Sequence, residues 1–425
     1  MRDFFVIVGS LLIAVLLAAF AVPRFIDWTP YKRQIETRIR DATGVKLVLA
    51  GPLRIEILPK LALNAQDVII EARDAKVSAA RLRAELSAGS LFSATPHLVS
   101  IELDGGVVKL TEDAAADPAS ALIGIMSRDN ALPADIINLN TIAITRAEDD
   151  TPIATIEHGE VSFPVRAGPL RLSAEGVLGD IAGRGRLAIG PVEASLSRHL
   201  SLAFDADGEN NSKGWRLTYE GQASGSGPSP VSFDGAVMLA QNDGVGLRAA
   251  GSGAGDTPPW RAQAKARGEL RALRFDEVEI TRGEGTPLRL TGQGFLDLTG
   301  DPRLALDLVT RRLALDALTE ANASDAKTAG ASGSLPIGRA LEALARFVTA
   351  SVPPPLSVDF NLRAETAELA DESFGNLVLK GRATTSDLSI FAVNANWIGR
   401  GDIAFSGTTA QGGKALAQGH VDVKS

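Results

Sequence analysis

The spacing of hydrophobic and polar positions changes twice within the first sixty residues, and the last spacing then repeats to the end of the chain. Residues 4–22 carry no charged side chain. About 19 residues at 1.5 Å rise span roughly 28 Å, close to the hydrocarbon thickness of a bilayer. A helix satisfies its own backbone there, as hydrocarbon requires. The run predicts a transmembrane anchor over residues 1–23, with Phe4, Leu11, Leu16 and Phe20 among its lipid-facing side chains. The competing reading is a cleaved signal peptide, with Arg2 as its positive start and Ala19-Phe20-Ala21 as its cleavage site. The run is long for such a segment, whose apolar part usually covers about 7–15 residues. Arg24, Lys32, Arg33, Arg38 and Arg40 follow the span while only Arg2 precedes it, so charge alone does not predict an exported body.

A helical spacing follows. Thr29 suits an N-cap, Pro30 a first helical position and Gly44 a left-handed C-terminal cap. Tyr31, Ile35 and Ile39 fall on one face, and Lys32, Arg33, Arg38 and Arg40 on the others. Such a helix either caps the end of a sheet or rests on anionic headgroups. The spacing then drops to two. Strands are predicted at 45–50 and 53–58, separated by Gly51-Pro52, with Leu53, Ile55 and Ile57 alternating against Arg54 and Glu56.

Alternation continues through 67–72, 75–87 and 97–110, the last interrupted by Asp104-Gly105-Gly106, which reads as a hairpin turn. Residues 111–120 read as a loop, and Asp117-Pro118 opens a short helix to about 127 bearing Leu122, Ile123 and Met126. Further strands are predicted at 142–145, 170–178, 186–189, 200–204, 215–219, 231–239 and 275–281. Their turns recur about every 8–12 residues. The clearest alternation runs from Leu288 and Leu290 through Leu296 and Leu298 to Leu304, Leu306 and Leu308. Residues 320–336 are rich in Ala, Gly, Ser and Asp and read as a linker. An amphipathic helix is expected over 339–349, stopped by Pro353-Pro354-Pro355. Leu356, Val358, Phe360 and Leu362 then alternate with Ser357, Asp359, Asn361 and Arg363. Strand pattern persists to Val423 and breaks off in mid-strand, as in a chain that continues. The expected organisation is the anchor, an N-terminal helix and β module (24–111), a β-rich body (112–319), the linker (320–336), and a second helix with strands (337–425).

Composition narrows the function classes. The net charge of −8 argues against a nucleic-acid partner. No cysteine is present, so no disulfide framework or thiolate metal site exists. Forty-two glycines and few aromatics suit short strands joined by tight turns around an aliphatic core. His97, His158, His199 and His420 are scattered, without metal-ligand spacing. No nucleophile elbow or phosphate-binding loop occurs. Gly183-Arg184-Gly185 and Gly251-Ser252-Gly253 are too short for dinucleotide fingerprints and read as turns. The acidic pairs Asp149-Asp150 and Asp276-Glu277 read as surface loops. No general acid–base pair, metal or cofactor can be nominated, and the chain reads as non-enzymatic.

So much one-sided sheet must cover its apolar face. Either two sheets cover each other in a sandwich, or one elongated, twisted antiparallel sheet curls into a groove shielded by lipid acyl chains. In the second case Leu53, Ile55, Ile57, Leu288, Leu290, Leu356, Val358, Phe360 and Leu362 are the candidate lipid contacts; in the first they form a dry core.

Phe25-Ile26-Asp27-Trp28, Tyr31-Lys32, Thr43-Gly44, Leu47-Val48-Leu49-Ala50-Gly51, Leu58-Pro59 and Leu61-Ala62-Leu63 together resemble the start of the AsmA family. The resemblance covers residues 1–110, with looser similarity at 287–318 and 353–408. Val45, with Lys46 next, stands where family members often carry a basic residue after the Thr-Gly pair. The resemblance implies an inner-membrane protein with one N-terminal helix and a periplasmic β-rich body. It implies a hydrophobic β-groove that holds or transfers phospholipid, with roles in outer-membrane biogenesis and lipid homeostasis and with envelope protein partners. The alternative is an anchored β-scaffold that assists outer-membrane protein assembly without carrying lipid.

Overall fold

The computed structural model describes residues 29–43, 46–56, 60–71, 75–87, 89, 98–111, 134–162, 169–179, 181–191, 193, 197–207, 214–225, 231–241, 260–269, 271–282, 288–314, 356–369, 372–384, 388–397, 401–409 and 415–423. The anchor at 4–22, the helices expected at 117–127 and 339–349, and the linker at 320–336 lie outside these residues. The chain divides into two compact units. One is Met1–Asp207 with Gly225–Val231, and the other is Gly208–Ser224 with Ser232–Ser425.

In the first unit a 3₁₀ turn (Thr29–Tyr31) leads into helix α1 (Lys32–Thr43). Ten strands follow: β1 (Lys46–Leu49), β2 (Leu53–Glu56), β3 (Ala62–Glu71), β4 (Ala75–Leu86), β5 (Leu98–Leu110), β6 (Ala134–Arg146), β7 (Pro152–Ser162), β8 (Leu170–Leu178), β9 (Ile181–Ile189) and β10 (Ser197–Ala206). β1 and β2 both pair with β3, and from there each strand pairs with the next in sequence. The second unit holds β11 (Trp215–Ser224), β12 (Ser232–Gln241), β13 (Trp260–Glu269), β14 (Ala272–Arg282), β15 (Leu288–Asp297), β16 (Arg303–Ala314), β17 (Ser357–Leu369), β18 (Glu372–Ala383), β19 (Leu388–Trp397), β20 (Gly401–Thr409) and β21 (Ala415–Val423), again paired in sequence order.

The expected wholly antiparallel sheet needs correction. Each unit contains one parallel step, β5–β6 in the first and β16–β17 in the second. A parallel pair cannot be closed by a hairpin, because the chain must return to the end from which it started. These two steps accordingly coincide with the two longest intervals between consecutive strands, 111–133 and 315–356. Within each unit the ladder is a single sheet, not the two facing sheets of a sandwich. Among the described pairings none joins β10 back to β1 or β2, or β21 back to β11, so neither ladder closes into a barrel.

The inward-facing positions change parity partway along many strands. In β3 the apolar positions are Leu63 and Ala65, then Val68 and Ile70, with Asp67 between them at φ 49°. In β5 they are Ile101 and Leu103, then Val108, with Gly105 between at φ 58°. In β6 Leu139 gives way to Ile142 across Thr141 at φ 55°. The second unit repeats the device. Phe275 passes to Val278 across Glu277 (φ 52°) in β14, and Leu377 passes to Phe374 across Asn376 (φ 51°) in β18. A residue in the left-handed region turns the strand by one position, so the apolar set stays on one face while the odd–even count flips.

This device overturns two readings, and the run of β9 a third. Asp104-Gly105-Gly106 is not a hairpin turn: β5 runs through it, and Gly105 supplies the positive φ that most side chains resist. Asp276-Glu277 is not a loop but the irregular point of β14, where the register to β15 shifts between Phe275 and Val278. Gly183-Arg184-Gly185 is not a turn either. It lies within β9, where the Phe204 ring and the Asp205 carbonyl leave no room for a side chain at Gly183, a built Cβ meeting them at 3.1 and 2.4 Å. Asp149 lies in the turn between β6 and β7, as expected.

α1 forms where capping and spacing predicted it, and it protects an edge. The Glu36 carboxylate accepts the Leu49 backbone N–H at 2.8 Å, and Lys32 donates to the Gly51 carbonyl. Those groups belong to the outer side of β1 and its turn, which would otherwise template another strand. Ile35 packs under the helix onto Leu47, Leu49, Leu53, Ala65 and Val68.

Candidate functional site

The apolar face of β14–β19 carries a large cluster of buried hydrophobic residues, larger than either of the clusters described in the first unit. The register builds it in rows. Leu306 pairs with Phe360, Phe360 with Gly381, and Gly381 with Ile390. The next row is Leu308, Leu362, Leu379 and Val393. Six sequence-predicted residues come together here: Leu290 and Leu362 inside the buried cluster, with Leu288, Leu356, Val358 and Phe360 packed against it. Leu290 (8% exposed) and Leu362 (7%) are already covered by protein. The other four keep part of their surface accessible, which a ligand needs.

The predicted residues of the first unit are separate from this group. Leu53 is buried beside α1, in the cluster with Leu47 and Val68. Ile55 is half-buried opposite Leu63, and Ile57 lies outside the described residues. A second apolar cluster, Ala79, Leu103 and Ile142 with Ile101, Leu139 and Ile156 against it, spans β4–β7. Simple alternation missed it because the parity flips at Gly105 and Thr141. The same flip concealed Val278, and Phe374 lies beyond the equivalent point at Asn376 on β18.

The opposite face is polar and cross-linked. Arg382 donates to Asp359 at 2.6 Å, and Arg303 donates to the same carboxylate from the neighbouring strand. Burial pushes the Asp359 pKa upward, but the hydrogen bonds from Arg382 and Arg303 outweigh it and hold the carboxyl below its usual range. Arg363 spans both oxygens of Asp307 at 3.0 and 3.1 Å, and Asn361 adds a bond of 3.1 Å. In the first unit Asn140 donates to Asp104 at 2.8 Å across the equivalent parallel step. Hydrogen bonding by Lys46 and Lys76 lowers the pKa of Glu71. Among the described residues the one charged side chain classed as buried is Arg282, whose pKa burial lowers. Among the described residues no group of His, Asp and Glu could hold a metal ion. His158 and His199 stand apart in β7 and β10.

In the second unit the sheet thus carries a polar, ion-paired face and a nonpolar face. The comparisons give a family for part of the chain. Residues 3–154 match the model of the AsmA family, so the resemblance read in the opening residues stands over that span. The match covers α1 and β1–β6 and ends at the start of β7. No curated protein and no solved structure matches the chain. Among the described residues no helix is long and apolar enough to cross a membrane.

Proposed function

We propose that this chain is an inner-membrane-anchored, periplasmic lipid carrier of the AsmA type. It holds phospholipid acyl chains against the apolar face of its sheet and supports outer-membrane biogenesis and lipid homeostasis. The observation that carries the reading is the set of half-buried Leu288, Leu356, Val358 and Phe360 at the margin of the β14–β19 cluster. Each methylene that a lipid buries there contributes about 0.8 kcal/mol. The second unit has no helix among its described residues that would shield this face. The family match over residues 3–154 supports the anchored placement, and residues 4–22 supply the span. The chain performs no chemistry in this reading; it binds by burial and releases by exchange.

Native mass spectrometry with lipid extraction tests the proposal, on residues 24–425 purified without detergent. Phospholipid is expected at about one or more per chain. Val358→Asp with Phe360→Asp abolishes that lipid. The milder Leu356→Gln lowers it while the far-ultraviolet circular dichroism stays unchanged. A folded, monodisperse and lipid-free body overturns the proposal, and so does undiminished lipid in the folded double variant.

A further inference from the structure

The polar face of the second unit carries a cavity of about 700 Å³ across β14–β19. Most of its lining belongs to the polar face, and Leu306, Phe360 and Gly381 of the adjoining apolar row complete it. Register places its walls in two adjacent rows. One runs Arg274, Phe295, Ala305, Asp359 and Arg382; the other runs Gln293, Asp307, Asn361 and Lys380. Ala305 lies within the first row and gives the cavity a low floor.

Two features of the cavity serve neither the sheet nor a lipid on its other face. The first is aromatic. Phe295 is 46% exposed and Phe391 59%, on a face otherwise given to ion pairs. Phe391 is held there by a defect in the ladder. Gly381 pairs with Ile390 and Lys380 with Ala392, so Phe391 is the inserted residue of a bulge. On its other side the register shifts between Ile390 and Val393. Bulges re-aim side chains, and this one turns a phenyl ring toward water. The second feature is charge. Arg274, Arg303, Lys380 and Arg382 share the cavity with only Asp307 and Asp359, on a chain whose net charge is −8. Arg303 and Arg382 clamp Asp359, Arg363 clamps Asp307, and Arg274 pairs with Asp276 at 3.0 Å. Beyond the ladder, the Lys380 side chain makes no hydrogen bond or ion pair with the described residues.

We infer that this cavity is a docking surface for an acidic, extended segment of a partner protein that carries apolar side chains. Exposed aromatic rings beside arginines are the anchor residues of protein interfaces. The Arg–Asp network fixes the guanidinium groups in orientations that suit carboxylates. An anionic bilayer fits less well. A lipid-binding patch is a cluster of about 4–8 cations without acids among them, whereas Asp307 and Asp359 stand inside this one.

Fluorescence anisotropy on the full chain in detergent tests the inference. The probe is a labelled short peptide alternating Glu and Val, with Ser–Val and Lys–Val peptides of equal length for comparison. The Glu–Val peptide is expected to bind, to weaken in high salt, and to outbind the Ser–Val peptide. Lys380→Glu and Phe391→Ser each weaken it by about tenfold. Both positions are exposed, so the fold is retained, which circular dichroism checks. The milder Lys380→Gln gives a smaller loss of the same sign. Equal binding of all three peptides overturns the inference, as does unchanged affinity in the two variants. Lys380-dependent binding to phosphatidylglycerol vesicles, with no peptide binding, overturns it in favour of a membrane surface. Lipid co-purification on the apolar face is untouched by these substitutions, so this reading and the lipid-carrier reading fail separately.

Discussion

Single residues with unusual backbone or charge settle how the sheet is built. Thr141 sits at φ 55°, a conformation that glycine and asparagine adopt readily and a β-branched residue resists. Thr141→Asn is expected to stabilise the first unit by about 0.5–1 kcal/mol, read as a higher denaturant midpoint at unchanged slope. A lower midpoint would mean that the threonine side chain contributes more than its backbone costs. Asp359 makes the opposite kind of prediction. Its pKa is depressed in the folded state, so its contribution is present above the unfolded value, near pH 4, and is lost as pH falls through the folded value. Both guanidinium partners are partly exposed, which limits the contribution to about 1 kcal/mol. Thermal melts from neutral to acid pH should show Asp359→Asn less stable above pH 4, with the difference from the parent closing below it. A gap that persists at low pH would assign the aspartate a steric role.

Elements were legible in the sequence wherever one rule governed them. α1 followed from Thr29, Pro30 and its spacing, and β17 from the strict alternation Leu356, Val358, Phe360, Leu362. β3 was read only from Asp67 onward, because alternation counts parity and the parity flips there. The parallel steps were not legible, since β5 and β6 alternate as an antiparallel pair would. The β15–β17 candidates fall in one cluster for the same reason: they precede any flip, whereas the β4–β7 cluster straddles one. The edge contact from α1 also escaped the sequence, because Glu36 in a basic helix reads only as a solvated acid. Its role predicts that Glu36→Ala, by freeing the Leu49 N–H, costs about 1 kcal/mol and promotes self-association through β1. Analytical ultracentrifugation and chemical denaturation check the two parts. A monomer of unchanged stability would remove the helix from edge protection.

At the scale of the whole molecule, the same plan occurs twice. Each unit is a meander with one parallel step and an Asp–Asn hydrogen bond across it, Asp104 with Asn140 and Asp307 with Asn361. Each also has its own apolar clusters. A sheet that grows by adding strands gives every strand a local partner, so packing damage should remain near its origin. Leu388 is fully buried within the second unit's cluster. Leu388→Ala should cost about 2–4 kcal/mol by opening a cavity there. Hydrogen exchange should then quicken in β18–β20, while β3–β6 exchange at their original rates. Acceleration of equal size in both sets of strands would show that the chain unfolds as one cooperative body. Loss of lipid would then follow from a core substitution anywhere in the chain. Localised exchange would mean that the half-buried residues of the second unit can be altered, and their lipid tested, without disturbing the part of the chain that carries the family match.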